Sequence, residues 1–137
     1  MTTYSTFVQD EIDQAAEFAK EQFQLGARTA DGTTVRDQLA AVWRMTGNKP
    51  KELDELIELP EIFTECWHWF LRLNNRRAST GFGVNPIAYS EMLSFFELIN
   101  YQPQEWELDM IERFDSIAMQ EYDKEATKER KKSKSKS

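Results

Sequence analysis

Apolar positions recur along this chain at steps of three and four, the spacing that places side chains on one face of an α-helix. Over residues 3–24 the stripe is Val8, Ile12, Ala15, Ala19 and Phe23, thin and alanine-rich, with Asp10, Glu11, Asp13, Glu17 and Glu21 mostly elsewhere. Gly26 and Asp31-Gly32 interrupt it. Thr34 and Asp37 then form an S/T-x-x-D/E capping signal ahead of Val35, Leu39, Val42 and Trp43, and Gly47 is placed to end that second helix. Pro50 suits the first turn of a short third helix carrying Leu53, Leu56 and Ile57, in a segment made negative by Glu52, Asp54, Glu55 and Glu58.

The densest patterning lies between residues 59 and 119, which hold three of the four tryptophans and six of the nine phenylalanines. Pro60 is expected to open a fourth helix whose face is Ile62, Phe63, Cys66, Trp67, Phe70 and Leu71 or Leu73, flanked by His68 and Trp69. Arg72, Arg76 and Arg77 near its end complement the negative pole of the helix dipole. Tyr89, Met92, Leu93, Phe96 and Ile99 predict a fifth helix. After a connector at 100–103, Trp106, Met110, Ile111, Phe114, Ile117 and Ala118 predict a sixth running to Tyr122.

The pattern therefore gives an all-α fold: a small helical domain of about six helices with a disordered basic C-terminal tail. Helices four to six are expected to pack around Trp67, Phe70, Phe96 and Trp106, so that Trp106→Ala should cost about 3–5 kcal/mol. Residues 1–58 form an N-terminal helical part, 59–123 the helical core and 124–137 the basic tail. No internal repeat or coiled-coil heptad run is present.

Charge refines this division. The chain of 137 residues carries −7, yet residues 128–137 hold six Lys/Arg against one Glu, a local +5, leaving −12 on the rest. An acidic body repels phosphate backbones, so nucleic acid is not the expected partner of the domain itself. The tail alone has the charge to meet nucleic acid or an acidic surface. No aromatic residue is interleaved with its lysines, so base stacking gains no support, and the plainer reading is a solubilising appendage. Cys66 is the single cysteine, which excludes an intramolecular disulfide. No apolar run reaches the roughly 18–20 residues a membrane span needs. The first residues lack the basic and apolar regions of a signal peptide, so a cytosolic setting is expected.

Candidate chemistry is sparse. Thr80-Gly-Phe-Gly-Val84 lacks the spacing of a phosphate loop, and no strand precedes it as a dinucleotide fingerprint requires. Glycines there serve a turn better, with Phe82 tucked into the helical layer. Glu61, Glu65, Cys66 and His68 supply ligand types, but one His and one Cys do not make a structural zinc site. The pairs Glu105/Asp109 and Asp109/Glu112 read as a solvated acidic face. Neither a nucleophile–base set nor a metal set emerges, so no catalytic residue, metal or cofactor is assigned.

One longer pattern remains. Trp67-His-Trp-Phe70-Leu-Arg-Leu73, Arg76, Gly81-Phe-Gly83, Pro86-Ile87-Ala-Tyr89-Ser-Glu91, Leu98, Trp106-Glu107, Met110-Ile111 and Phe114-Asp115 follow one another in an order that resembles the tail assembly chaperones of long-tailed bacteriophages. The resemblance covers about half the chain and leaves 1–58 and the tail outside it. It departs at Ala88, often Ser or Thr in that family, so Ser90 or the loop must cap the fifth helix.

The resemblance implies a non-enzymatic helical protein. Such a protein binds the tape-measure protein, keeps that aggregation-prone chain soluble, and helps recruit major tail-tube subunits. It would act in the host cytoplasm and be absent from the finished virion. Self-association and a second, frameshifted form are left open. A chaperone for a long amphipathic chain needs adaptable apolar surface, which methionines and off-stripe aromatics supply. Trp69, Phe82, Met92, Phe95, Met110 and Met119 are the candidate partner-binding residues, each also a fair candidate for ordinary core. The alternative function is a small helical regulator that binds nucleic acid or an acidic partner through its lysine-rich tail.

Overall fold

The computed structural model of the protein describes residues 6–77, 79–80 and 83–135, with the side chains of 8–77, 84–128, 130 and 131. Six α-helices follow in order: α1 (Thr6–Leu25), α2 (Val35–Thr46), α3 (Lys51–Asp54), α4 (Thr64–Asn75), α5 (Tyr89–Leu98) and α6 (Glu105–Ser135). Between α4 and α5 lie two strands of two residues each, β1 (Ser79–Thr80) and β2 (Gly83–Val84). They pair antiparallel with Ser79 opposite Val84 and Thr80 opposite Gly83, a single turn within an all-α fold. The chain divides into two compact units, Met1–Leu59 and Pro60–Ser137.

In the first unit α1 buries Ala15 and Ala19 completely, as its periodicity predicts, while Val8, Ile12 and Phe23 of the same stripe are half-buried and Leu25, off the stripe, is almost fully buried. The α1–α2 turn is built on Asp31. Its carboxylate accepts from the Thr29 hydroxyl (2.6 Å), the Thr33 hydroxyl (2.7 Å) and the Thr33 amide (3.1 Å). Those bonds hold the Asp31 carboxyl down at about 2. Gly32 follows at φ 87°, where a Cβ is disfavoured. Thr34 and Asp37 close the predicted capping box, and Gly47 ends α2 in the left-handed conformation with its amide on the Trp43 carbonyl (2.8 Å). After α3 the chain is tied to α1, Gln14 donating to the Glu58 carbonyl (2.7 Å) and the Ile57 amide to Glu21 (2.8 Å). No described residue of α2 is buried, and Val42, Trp43 and Met45 are all exposed.

The second unit holds the aromatic core. Pro60 begins not α4 itself but a 3-10 turn at Glu61–Phe63, and the α-helix starts at Thr64. α4 buries Cys66, Trp67, Trp69, Phe70 and Leu73, and α6 answers with Met110, Ile111, Phe114 and Ala118. Trp67 meets Phe114 edge-on at 5.0 Å and stacks on Phe70 at 5.6 Å, while Trp69 turns to α5 and meets Phe96 edge-on at 5.1 Å. Trp106 is only half-buried, its ring edge toward Phe63 at 6.2 Å and its indole N–H on Gln104. Beyond Tyr122 no described side chain is buried, as a tail without tertiary packing requires. Its backbone is nonetheless helical to Ser135, in a composition of Ala, Glu, Lys and Arg that favours helix.

Candidate partner-binding surface

The route from α4 to α5 is fixed by one buried ion pair. Arg77 and Asp115 are 6% and 8% exposed and in direct contact. Arg77 also donates Nε to Asn74 Oδ1 (3.0 Å) and Nη1 to the Asn85 carbonyl (2.7 Å), while Asp115 accepts the Ile87 amide on Oδ2 (3.0 Å). A planar guanidinium fork thus binds the end of α4, the returning loop and α6 together, a geometry an ammonium cannot match. Asn74 extends the set by donating to the Tyr122 hydroxyl (3.0 Å).

Asp115 holds the chain just before α5, and that helix needs the help. Its N-cap is Ala88, which makes no side-chain cap hydrogen bond. At the far end Asn100 adopts φ 54°, a conformation asparagine tolerates, and the Tyr101 amide reaches back to the Phe96 carbonyl (3.0 Å). α5 is thus held at its start by Asp115 and closed at its end by a left-handed cap at Asn100.

Placed in this way, α5 buries Met92 and Phe96 and presents Tyr89, Leu93 and Leu98 at 70%, 62% and 85% exposure. A groove of about 590 Å³ runs beside it, with Tyr89, Met92, Leu93 and Phe96 along one wall and Tyr101, Pro103 and Leu108 along the other. Tyr101 donates to both oxygens of the buried Glu107 carboxylate at 3.0 Å, and Glu107 also accepts the Gln104 amide at 2.8 Å. Tyr89 donates to Glu112. Both phenols are raised above their ordinary value of 10.0, chiefly because each gives its proton to a carboxylate.

The sequence-predicted partner residues are spread over this unit. Trp69, Met92 and Met110 are buried. Met92 lines the groove. Phe95 is half-buried with Arg72 over its ring at 5.1 Å, and Met119 is half-buried on α6. Phe82 lies outside the described residues. Tyr89 and Leu93 belong to the stripe that predicts the fifth helix and Leu98 to the family pattern, and all three are exposed. Leu98 stands next to Ile99, and this contrast with the buried phase of α5 is the signal that marks it.

The residues weighed for chemistry do not converge. Burial, aided by Glu107 and Glu65, pushes the Cys66 thiol up to about 12, so it stays protonated at neutral pH. His68, Glu61 and Glu65 face outward. Among the described residues no group of three or more His, Cys, Asp and Glu is placed to hold a metal, and no helix is long and apolar enough to cross a membrane.

This helical protein carries an open, largely apolar groove, a surface suited to binding another protein. Its residues 42–120 match the family model described as phage tail assembly chaperone, and the chain belongs to that family. The match starts in α2, upstream of the 67–115 pattern that carries the resemblance, and ends in α6. No curated protein and no solved structure matches the chain.

Proposed function

We propose that the protein is a non-enzymatic chaperone that binds the tape-measure protein during phage tail assembly, keeps it soluble and helps recruit tail-tube subunits. On this reading it works in the host cytoplasm and does not enter the finished particle. The observation that carries the proposal is the apolar exposure of α5, with Tyr89 and Leu93 uncovered on the groove, in a chain of this family. A long helical client is apolar along one stripe, and such a stripe is what an open groove walled by aromatic and aliphatic side chains accepts. The acidic body around it keeps a bound complex soluble.

The test is co-expression with the tape-measure protein from the same genome, followed by gel filtration. Joint elution of a tape-measure protein that is insoluble alone is the expected result. Separate elution, with the tape-measure protein still aggregated, overturns the proposal.

A further inference from the structure

The groove beside α5 carries a charge signature that narrows its occupant. Between Arg77 and Arg113 the chain contains no Lys, Arg or His, and it contains six carboxylates: Glu91, Glu97, Glu105, Glu107, Asp109 and Glu112. Two of these are engaged by tyrosines, Glu107 by Tyr101 and Glu112 by Tyr89. Glu91, Glu97, Glu105 and Asp109 are exposed, and among the described residues none of the four is in an ion pair. Glu97 itself lines the groove. Of the flanking arginines, Arg77 is buried against Asp115, and Arg113 is exposed on α6 and is not part of the lining. Arg72 lies over Phe95, which is not part of the lining.

We infer that this groove takes an amphipathic helix of a partner protein whose apolar stripe is flanked by lysine or arginine. The inference rests on the chaperone reading above and specifies the chemistry of its client. Residues 89, 92, 93, 96 and 97 recur on one side of α5 at helical spacing, so the wall is about 12 Å long, the rise of just over two helical turns. That length suits anchors at i, i+3 or i+4, and i+7 on the incoming helix. The apolar walls take the stripe, and the acidic surroundings favour cations beside it and repel a helix edged with Asp or Glu.

The chain's own tail has the right charge but not the stripe. Residues 124–137 hold seven Lys/Arg, and Ala126 is their only apolar side chain. A tail from the same or a second copy would leave the walls unfilled.

The experiment uses the full chain and two labelled helical peptides of about five turns. Both carry the same leucine stripe, one with lysine flanks and one with glutamate flanks, and binding is read by fluorescence anisotropy. At low salt the lysine peptide binds at least about tenfold tighter, with an advantage that shrinks as salt rises. Leu93→Asp, on a side chain that is 62% exposed and outside the core, weakens the lysine peptide at least about tenfold while leaving the thermal midpoint unchanged. The pair Glu97→Lys and Asp109→Lys reverses the preference between peptides.

Equal binding of the two peptides, or unaltered binding by Leu93→Asp, overturns the inference. Co-expression separates it from the broader reading. If the wild type solubilises the tape-measure protein and Leu93→Asp does so equally well, the groove is wrong and the chaperone stands. If the wild type fails there while the lysine peptide still binds in a Leu93-dependent way, the groove stands and the tape-measure client is wrong.

Discussion

Arg77 commits all three of its donor nitrogens to the junction where the chain leaves α4 and returns to start α5. The sequence places it among three arginines at a helix end, where a dipole partner is the natural reading. Nothing in the local spacing points to Asp115, thirty-eight residues on. That pairing is a tertiary fact. Removing one partner leaves a buried charge uncompensated, so Arg77→Ala or Asp115→Ala should each cost about 3–5 kcal/mol in denaturant unfolding. Arg77→Lys should recover little, because one ammonium cannot reach Asn74, Asn85 and Asp115 together. Rescue to near wild-type stability by lysine would show that charge alone matters.

A second prediction at this scale concerns Tyr101. Its phenol is held neutral by the bond to Glu107, so its folded pKa lies above the unfolded 10.0. For a group raised in this way, the stabilising contribution is complete below pH 10.0 and is lost as pH climbs through the folded value. A plateau in thermal midpoint up to that pH, then a fall that Tyr101→Phe moderates, is the expected profile. Phenolate absorbance should show Tyr101 and Tyr89 ionising late, and ionisation of both at the ordinary value would contradict the hydrogen bonds.

Among the elements, α4 was the most legible and also the most instructive. Its width of apolar face follows directly from Cys66, Trp67, Phe70 and Leu73, but Trp69, which looked like a flank, is buried as well. Two neighbours rather than one explain this: Trp67 and Phe70 serve α6, and Trp69 serves α5. A helix with partners on two sides needs a wider stripe than a single-face pattern anticipates.

Trp106 is the converse case. Periodicity put it with the core, yet its position in the first turn of α6 leaves it half-buried beside Phe63. Trp67→Ala should therefore cost about 3–5 kcal/mol, and Trp106→Ala about half of that, ~2 kcal/mol. Equal losses for the two would mean that Trp106 is packed as tightly as Trp67. The caps were legible wherever a side chain does the capping, at Thr34 and Asp37, and not at α5, whose ends are held by a remote carboxylate and by Asn100.

At the scale of the molecule, charge and apolar surface are separated along the chain. An acidic body, a lysine-rich end and a stretch without Lys, Arg or His between Arg77 and Arg113 are visible as composition before any fold is known, but the groove is not. It arises because Met92 and Phe96 turn inward while Tyr89 and Leu93, on the same broad stripe, are left without cover. A sequence pattern reports which residues share a face. Which part of that face a neighbouring helix covers depends on where that helix sits, and Arg77 and Asp115 set that for α5.

The most direct test of the whole account remains co-expression with the tape-measure protein, read as solubility and joint elution in gel filtration. The account predicts a soluble complex in which both chains elute together, from a tape-measure protein that aggregates on its own. A tape-measure protein that stays aggregated in the presence of this chain, or one that is fully soluble without it, would contradict the account.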